Sequence, residues 1–568
     1  MSYFLKKTNT KKGIYYQVYE GKHNKEKGYT TQKSIQVIGY HNDLLAKGIE
    51  DPLRYAKEIV ERLETERRNN IEQQKQRKIN EQNPIKNIGY KLPLSILKKL
   101  GIEKDFAYLT FNRKIQFNLY NVFESLIGAR IVSPVSKYKS YLDVIPSLIK
   151  KYDETYNQIF DGLTIIGEKY ESIIQILNHH YQQEFKRRTS TLYFDCTNYY
   201  FEIDKPSEDK QKGASKENRK EPIIGMSLLL DEEQIPLSMH MYPGNQSEKE
   251  EIRQIIEKMK RTNNISGRTI QVADKGLNCG KNIFEAVRNY DGYIYSQSVK
   301  KLPNIEKKWI DLSNEYQEIK ENNEVIFKIK SCIDDYTYHF NDENGKKITF
   351  TVKQKRIVYW SKSLEMKHRF EIDKEIEKLN QLTISGIKRK ELGDLAKYIK
   401  IASIDESGII DSSNIALYLN QEKIDEDLKY CGFNMLITSE IKMSDMEVCN
   451  AYKQLWRIEE SFRILKTNLN ARPVYVSKKE NIYGHFLICY TALFLMRILE
   501  LKILKDKVPA NRLFDFIKRF NVVETDESYL NLLSRRKDDN LIFNLFKIPI
   551  DSYYLTKKMI TNLENLEL

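Results

Sequence analysis

Three carboxylates stand out in this 568-residue chain by what surrounds them. Asp195 follows Leu192, Tyr193 and Phe194 in the run TLYFDCTNYY, so it interrupts a strand that otherwise wants burial and needs a partner there. Asp274 ends the apolar run TIQVA, and Gly276 and Gly280 mark the exit from strand to loop. Glu459 lies in a helical stretch whose start is signalled by Ser444 and Glu447 at capping-box spacing. In that stretch Leu455, Ile458, Phe462, Leu465 and Leu469 recur at helical spacing and define a face for the core. A second stripe, Tyr452, Trp456, Glu459, Arg463 and Lys466, runs beside it on what reads as one long helix. It sets a carboxylate at the edge of the core among a phenol, an indole and two cations.

Carboxylates from two strands and a helix, with no histidine beside them, suit a hard cation such as Mg²⁺, which takes oxygen ligands and keeps several waters. Two such ions about 4 Å apart activate a water or a 3′-hydroxyl and stabilise the departing oxygen in phosphodiester displacement. Arg463 and Lys466 would then hold the phosphate. Blander readings stand beside this one. Aspartates at strand ends commonly cap turns. A Glu459–Arg463 pair four residues apart on a wet helix is worth only about 0.2–0.5 kcal/mol. A tyrosine and a tryptophan beside such a pair argue for the richer reading.

The elements that must position these groups can be read from periodicity. Residues 191–200, 222–230 and 235–242 are β-rich runs joined by polar turns, which predicts three consecutive antiparallel strands. A helix opening at Ser247, a strand at 269–273, a helix near 283–289 and a strand at 293–296 follow. This order makes an α/β mixed sheet of the ribonuclease H kind, though pattern alone does not select that topology over other α/β sheets. Residues 301–430 interrupt it as a β-rich insertion before FNMLITS (433–439) resumes the sheet.

The expected organisation is therefore a basic β-rich region and helix at 1–88, a helical domain at 89–187, and the α/β core in two parts, 188–300 and 431–505. The inserted region 301–430 separates those parts, and a C-terminal helical region covers 506–568. Within 1–40, eight lysines face two glutamates, and the polar run after Leu63 reads as an exposed helix or connector.

Composition narrows the class. With 40% apolar and 30% charged residues and only 23 Gly and 13 Pro, collagen, disulfide scaffolds and wholly disordered chains are excluded. The balance of 93 Lys and Arg against 79 Asp and Glu, with 37 Tyr, favours a polyanionic partner. The six cysteines have no metal-ligand spacing and read as reduced cytosolic thiols. No signal peptide is expected at the N-terminus, and the apolar run Phe486 to Met496 is too short to span a bilayer, so it predicts a buried helix and no membrane partner.

These residues resemble the DDE transposases of bacterial insertion sequences in the IS-four superfamily, most closely the IS sixteen-thirty-four group. The resemblance rests on DCTNYYF from Asp195, GASKENRKEP, PGNQSE, VADKGLN and WRIEESFRILKTNLNARPVYV. The family's Tyr-x2-Arg-x3-Glu-x6-Lys signature falls on Tyr452, Leu455, Glu459 and Lys466, with leucine where the family has arginine. The phosphate contact is then either absent or supplied by Lys453, Arg457 or Arg463.

The resemblance implies a ribonuclease H-like core, with Asp195, Asp274 and Glu459 as catalytic and metal-binding residues for Mg²⁺, Mn²⁺ substituting. It implies cleavage of transposon ends and 3′-OH strand transfer into double-stranded target DNA, by a homodimer in the DNA complex, in the bacterial cytoplasm and on the nucleoid. Asp274 and Glu459 stand 185 positions apart, which fits the superfamily's β-rich, DNA-contacting insertion, and the resemblance makes the helical domain 89–187 a DNA-binding one and 188–300 with 431–505 the catalytic core. Tyr452, Trp456, Arg463 and Lys466 are expected DNA contacts, joined by a tryptophan of the insertion that the resemblance implies as the holder of an unstacked base; Trp360 is preferred over Trp309 because it ends the strand-like run RIVYWSK, from which its ring can project toward the DNA. Its bland alternative is a core tryptophan of the inserted sheet. A nuclease without strand transfer and a non-catalytic DNA-binding descendant remain the alternatives.

Overall fold

The computed structural model describes residues 2–24, 29–75, 84–203, 205–216, 220–262, 265, 267–342, 344–381, 393–402, 416–525 and 527–566. The chain divides into two compact units, Met1–Asn83 and Pro84–Leu568. In the first, β1 (Ser2–Thr10), β2 (Gly13–Asn24) and β3 (Tyr29–Tyr40) form an antiparallel sheet. Tyr16 and Val18 alternate inward on β2, and Tyr16 packs with Leu44 and Ala56 of the helices His41–Ala46 and Pro52–Lys75. The small basic sheet and the helix after it are as the sequence predicts. The rest of the polar connector, 76–83, lies outside the described residues.

The second unit is organised by a nine-stranded mixed sheet. In chain order after β4 (Ile85–Asn87), its strands are β5 (Thr191–Tyr200), β6 (Ile223–Leu230), β7 (Pro236–Pro243), β8 (Ile270–Ala273) and β9 (Gly292–Gln297). Then come β10 (Gln317–Glu321), β11 (Glu324–Asn341) and β12 (Lys347–Ser361) and, after the separate pair β13 (Ile399–Ala402) and β14 (Ala416–Leu419), β15 (Phe433–Thr438). The spatial order is β10-β11-β12-β15-β9-β8-β5-β6-β7. Strands β5, β6 and β7 are antiparallel neighbours, whereas β5, β8 and β9 are parallel. The predicted helices, Glu248–Thr262 and Gly280–Arg288, connect β7 to β8 and β8 to β9.

Both faces of the central strands are covered, which explains their nearly continuous apolar runs. Leu192, Phe194, Ala273, Tyr293 and Tyr295 belong to one core with the two connecting helices. Tyr193, Tyr199, Val272 and Ile294 belong to the other. That second, larger core also takes in the helices Lys91–Leu100, Leu119–Val132, Tyr156–Glu168 and Tyr170–Phe185, which share it with the buried helix Lys479–Arg497. Gly167 lies so close to the Glu480 carbonyl that an added Cβ would collide with it, so glycine sets how near these two helices approach. Among the described residues no helix is long and apolar enough to cross a membrane.

Strands β10, β11 and β12 of the inserted region continue the central sheet, with β12 pairing along β15 from Lys355↔Thr438 to Trp360↔Phe433. The C-terminal region departs from its helical expectation. Strands β16 (Asn521–Glu524), β17 (Ser528–Asn531) and β18 (Tyr554–Thr556) join β4 in a four-stranded sheet ordered β18-β17-β16-β4. Runs of three or four residues are too short to show a period, and β16 finds one of its partners, β4, across the chain.

Candidate active site

Asp195, Asp274 and Ser296 stand in one row across three adjacent strands. Tyr193 pairs with Val272 between β5 and β8, and Ala273 with Tyr295 between β8 and β9. Carried forward, these registers set Asp195 level with Asp274 and Asp274 level with Ser296, with neighbouring strands about 4.8 Å apart. Strand alternation turns all three toward the face of Tyr193, Val272 and Ile294, the face that the helices after Ser444 cover.

Asp274 is held firmly. Ser296 Oγ and the Tyr452 hydroxyl each donate to its Oδ1 at 2.9 Å, and Asn278 Nδ2 donates to the Ser296 carbonyl at 2.9 Å. Burial, and then the Asp274 charge, push the Tyr452 phenol up, so it remains a donor. Asp195 accepts the Cys196 N–H at 2.7 Å on its own Oδ1. Burial pushes the Asp195 carboxyl up from an ordinary 3.8 to about 6; Lys216 and the Cys196 N–H pull it back, while the charges of Glu248 and Asp274 push it further up. The charged form of Asp195 is thus costly chiefly because it is buried.

Past Ser444, whose capping box with Glu447 forms as the sequence predicts, the structure corrects the single long helix to two, Asp445–Lys453 and Trp456–Thr467. Between them Leu455 N–H bonds to Tyr452 O, Arg457 N–H to Gln454 O and Ile458 N–H to Leu455 O, the i to i+3 pattern. A residue there turns about 120° instead of 100°, so three or four of them rotate the later stripe by about 60–80° relative to the earlier one. Tyr452 and Glu459 therefore do not line up. Tyr452, expected among the DNA contacts, is half-buried against Asp274, and Glu459 is exposed.

The neighbouring Glu460 points inward. Burial opposes its charge, but Arg497 at 2.9 Å and Arg457 at 3.2 Å hold its carboxyl below the usual range. Arg497, fully buried, also pairs with Glu500 at 2.6 Å and donates to Ser461 Oγ. Arg463, predicted to face Glu459 or a phosphate, pairs with Glu460 at 3.2 Å. Arg457 stacks on Trp456 at 4.1 Å and also pairs with Asp506. Trp456 is 46% exposed. Lys466 Nζ stands 5.6 Å from the ring of Tyr199. Leu455 is buried in the apolar face, so among the three replacements for the signature arginine, Lys453 is the exposed cation without a carboxylate partner among the described residues.

Among the described residues no three His, Cys, Asp or Glu side chains gather closely enough to hold a metal ion: the two aspartates come together and Glu459 stands apart. The chemistry of the pair fits a hard divalent cation. Both supply carboxylate oxygens, and each hydrogen bond described above falls on Oδ1, which leaves the Oδ2 atoms to a ligand. Two further residues at this site were not singled out by the sequence reading. Lys216 Nζ lies 3.9 Å from Asp195 and 3.2 Å from Glu248. Lys216 belongs to the GASKENRKEP segment and Glu248 is the last residue of PGNQSE, so both stood in quoted motifs without a role.

The family described as Transposase DDE domain matches residues 186–495, a span that contains Asp195, Asp274 and Glu459. The chain belongs to this family. Among curated proteins none matches the sequence. A solved structure, a cryo-EM piggyBac transposase synaptic complex with hairpin DNA, is similar over 76% of this chain and 79% of its own at 7% identity and a TM-score of 0.37.

In this DDE transposase-family chain, Trp360 sits near the end of β12 opposite Phe433 on β15 and Lys328 on β11. Met435 of β15 pairs with Gln297, the last residue of β9, so Trp360 lies at the same edge of the sheet as the aspartates. It is half-buried, with Lys328 Nζ 5.7 Å from its ring. Gly432, at φ +84°, leaves the space its indole fills. Trp309 is likewise half-buried, under Lys330 at 5.0 Å.

Proposed function

We propose that this chain is the transposase of a bacterial insertion sequence of the IS-four superfamily, in the IS sixteen-thirty-four group. In this reading it nicks the transposon ends and joins the freed 3′-OH to double-stranded target DNA, as a homodimer on DNA in the cytoplasm. The observation that carries the reading is the aspartate pair, level on adjacent parallel strands, in a chain of the DDE family. The order β7-β6-β5-β8-β9, three antiparallel strands followed by two parallel ones, supports a ribonuclease H-like core.

Asp195, Asp274 and Glu459 would hold Mg²⁺, with Mn²⁺ substituting. When bound, two such ions activate a water or 3′-hydroxyl and stabilise the leaving oxygen. The chain's own residues prepare for this. Ser296 and Tyr452 fix the Asp274 carboxyl and keep its Oδ1 occupied, so Oδ2 points to the ligand. Burial first, and then the charges of Glu248 and Asp274, make the Asp195 carboxylate costly to keep ionised without a bound cation. The Arg497–Glu460 clamp anchors the helix that carries Glu459, and Glu459, exposed and apart from the two aspartates, would have to turn toward them to complete the set. Lys453, Lys466 and the rim aromatic Trp456 face the DNA.

The test uses a duplex carrying the inverted repeats that flank the gene, labelled on each strand, with an unlabelled plasmid and Mg²⁺. Nicks at the repeat end followed by labelled joints in the plasmid are expected, and Asp274→Asn should abolish both. Nicks without joints would favour the nuclease reading. Selective binding without cleavage in Mg²⁺ or Mn²⁺ would refute the catalytic reading.

A further inference from the structure

One cation already stands against two carboxylates at the site, Asp195 and Glu248. Lys216 Nζ donates to the Cys196 carbonyl on β5, lies 3.9 Å from Asp195 Oδ1 and 3.2 Å from Glu248 Oε1, and is about two-fifths exposed. It thus bridges Asp195 and Glu248, which opens the helix Glu248–Thr262. Beside it opens a cleft of about 500 Å³ lined by Asn198, Ser215, Lys216, Gln246, Glu248 and Gly276. The ammonium therefore has two carboxylate seats and room to move between them.

The geometry points to Lys216 as a tethered counter-ion for Asp195: it neutralises the carboxylate while no metal is bound and withdraws toward Glu248 when a divalent cation arrives. This rests on the reading of Asp195 as a metal ligand. An ammonium on a four-carbon stem suits the task, being a compact point charge that reorients without a fixed hydrogen-bonding plane. Lys216 and the metal compete for the same negative charge, so the lysine weakens metal binding and stabilises the metal-free fold. Glu248 has the opposite effect on affinity, because it gives the displaced ammonium a place to go.

The test measures Mn²⁺ binding to the full chain without DNA, by calorimetry and by loss of the free-ion electron paramagnetic resonance signal at pH 7.5. Lys216→Met and Lys216→Gln should each bind Mn²⁺ about tenfold more tightly, the size of one charge contact at a partly solvated site. Lys216→Arg should stay within about twofold of wild type, because the charge remains. Glu248→Gln should bind more weakly than wild type. Asp195→Asn serves as the control for the underlying reading and should lose the site. If wild type binds Mn²⁺ through Asp195 but Lys216→Met and Lys216→Gln bind no more tightly, the counter-ion role is overturned and the metal site stands. If Asp195→Asn binds Mn²⁺ as wild type does, both fall. Should Lys216→Met fail to fold, Lys216→Gln and Lys216→Arg decide the matter by the same comparison.

Discussion

Replacing Asp195 with asparagine should abolish cleavage and at the same time stabilise the metal-free protein. The Asp195 carboxyl is lifted from 3.8 to about 6, chiefly by burial, so its charged form is the costly one. A displacement of that size corresponds to about 3 kcal/mol at neutral pH, and a side chain that keeps 24% of its exposure brings this to about 1.5–3 kcal/mol. The sign follows from proton counting. Above pH 6 the folded and unfolded forms are both ionised and the folded form bears the full cost. Between about 6 and 4 the folded form holds a proton that the unfolded chain does not, so wild-type stability gains from this group as pH falls. Below about 4 both are neutral and the gain is complete.

Asparagine is neutral throughout, and Lys216 keeps Glu248 and the Cys196 carbonyl as partners. Asp195→Asn should therefore exceed wild type by about 1.5–3 kcal/mol at pH 7.5 in EDTA, about 2 °C in melting temperature for a unit of this size, and match it near pH 4. Saturating Mg²⁺ should narrow the gap, because only wild type gains by binding. Paired calorimetric melts at the two pH values measure this. A variant less stable than wild type at pH 7.5 in EDTA, or a gap that ignores pH, would refute the reasoning.

Adjacent glutamates should separate cleanly: Glu459→Ala should fold normally, bind end DNA and lose cleavage by several orders of magnitude, whereas Glu460→Ala should cost about 2–4 kcal/mol in melts because it strips a partner from fully buried Arg497. Tyr452→Phe should slow cleavage about 10- to 100-fold, the worth of about 1.5–3 kcal/mol for a hydrogen bond to a charged group, with DNA binding unchanged in gel-shift titrations. Removing residues 1–83, the first compact unit, should abolish selective end binding and flatten its salt dependence; full selectivity in the truncated chain would move recognition elsewhere. Trp360→Ala should slow the step after first nicking by about tenfold or more and erase the unstacking signal of a fluorescent base beside the cut, whereas an unchanged signal removes the base-holding role.

What the sequence made legible was local. The runs at 191–200, 222–230 and 235–242 announce β5, β6 and β7 because each carries enough β-formers between turns to show its type, and the Ser444–Glu447 box announces a helix start because its hydrogen bonds close within three residues. Partner choice was not legible. Nothing in RIVYWSK says that β12 will pair with β15 and extend the sheet, or that β4 will find β16 across the chain, because those hydrogen bonds are satisfied by residues hundreds of positions away or by whichever edge the topology leaves open. The same limit applies to the truncation above. Helices between 91 and 185 read as a separable domain by their periodicity, yet their apolar faces close on the helix Lys479–Arg497, so the cut belongs at 83.

The site follows the same division with one more step. Asp195 and Asp274 were visible as charges in apolar runs, and two strand registers suffice to set them level. Glu459 required a phase along a helix, and phase is what a few i to i+3 bonds at Leu455 change without leaving a mark in the apolar spacing: Leu455, Ile458, Phe462, Leu465 and Leu469 are all buried as predicted while the polar stripe beside them comes apart. Burial tolerates a rotation that ligation does not, because a core face is more than 100° wide whereas a carboxylate must meet an ion within a few tenths of an ångström. The leucine in the signature position belongs to that tolerant face. A charged guanidinium placed there would have to leave the core or find a carboxylate in it, and the inward-facing carboxylate on the same helix, Glu460, is already committed to Arg497 and Arg457. In the proposed reading the phosphate contact would therefore pass to a residue outside the buried face, and Lys453, exposed at the end of the preceding helix, meets that condition.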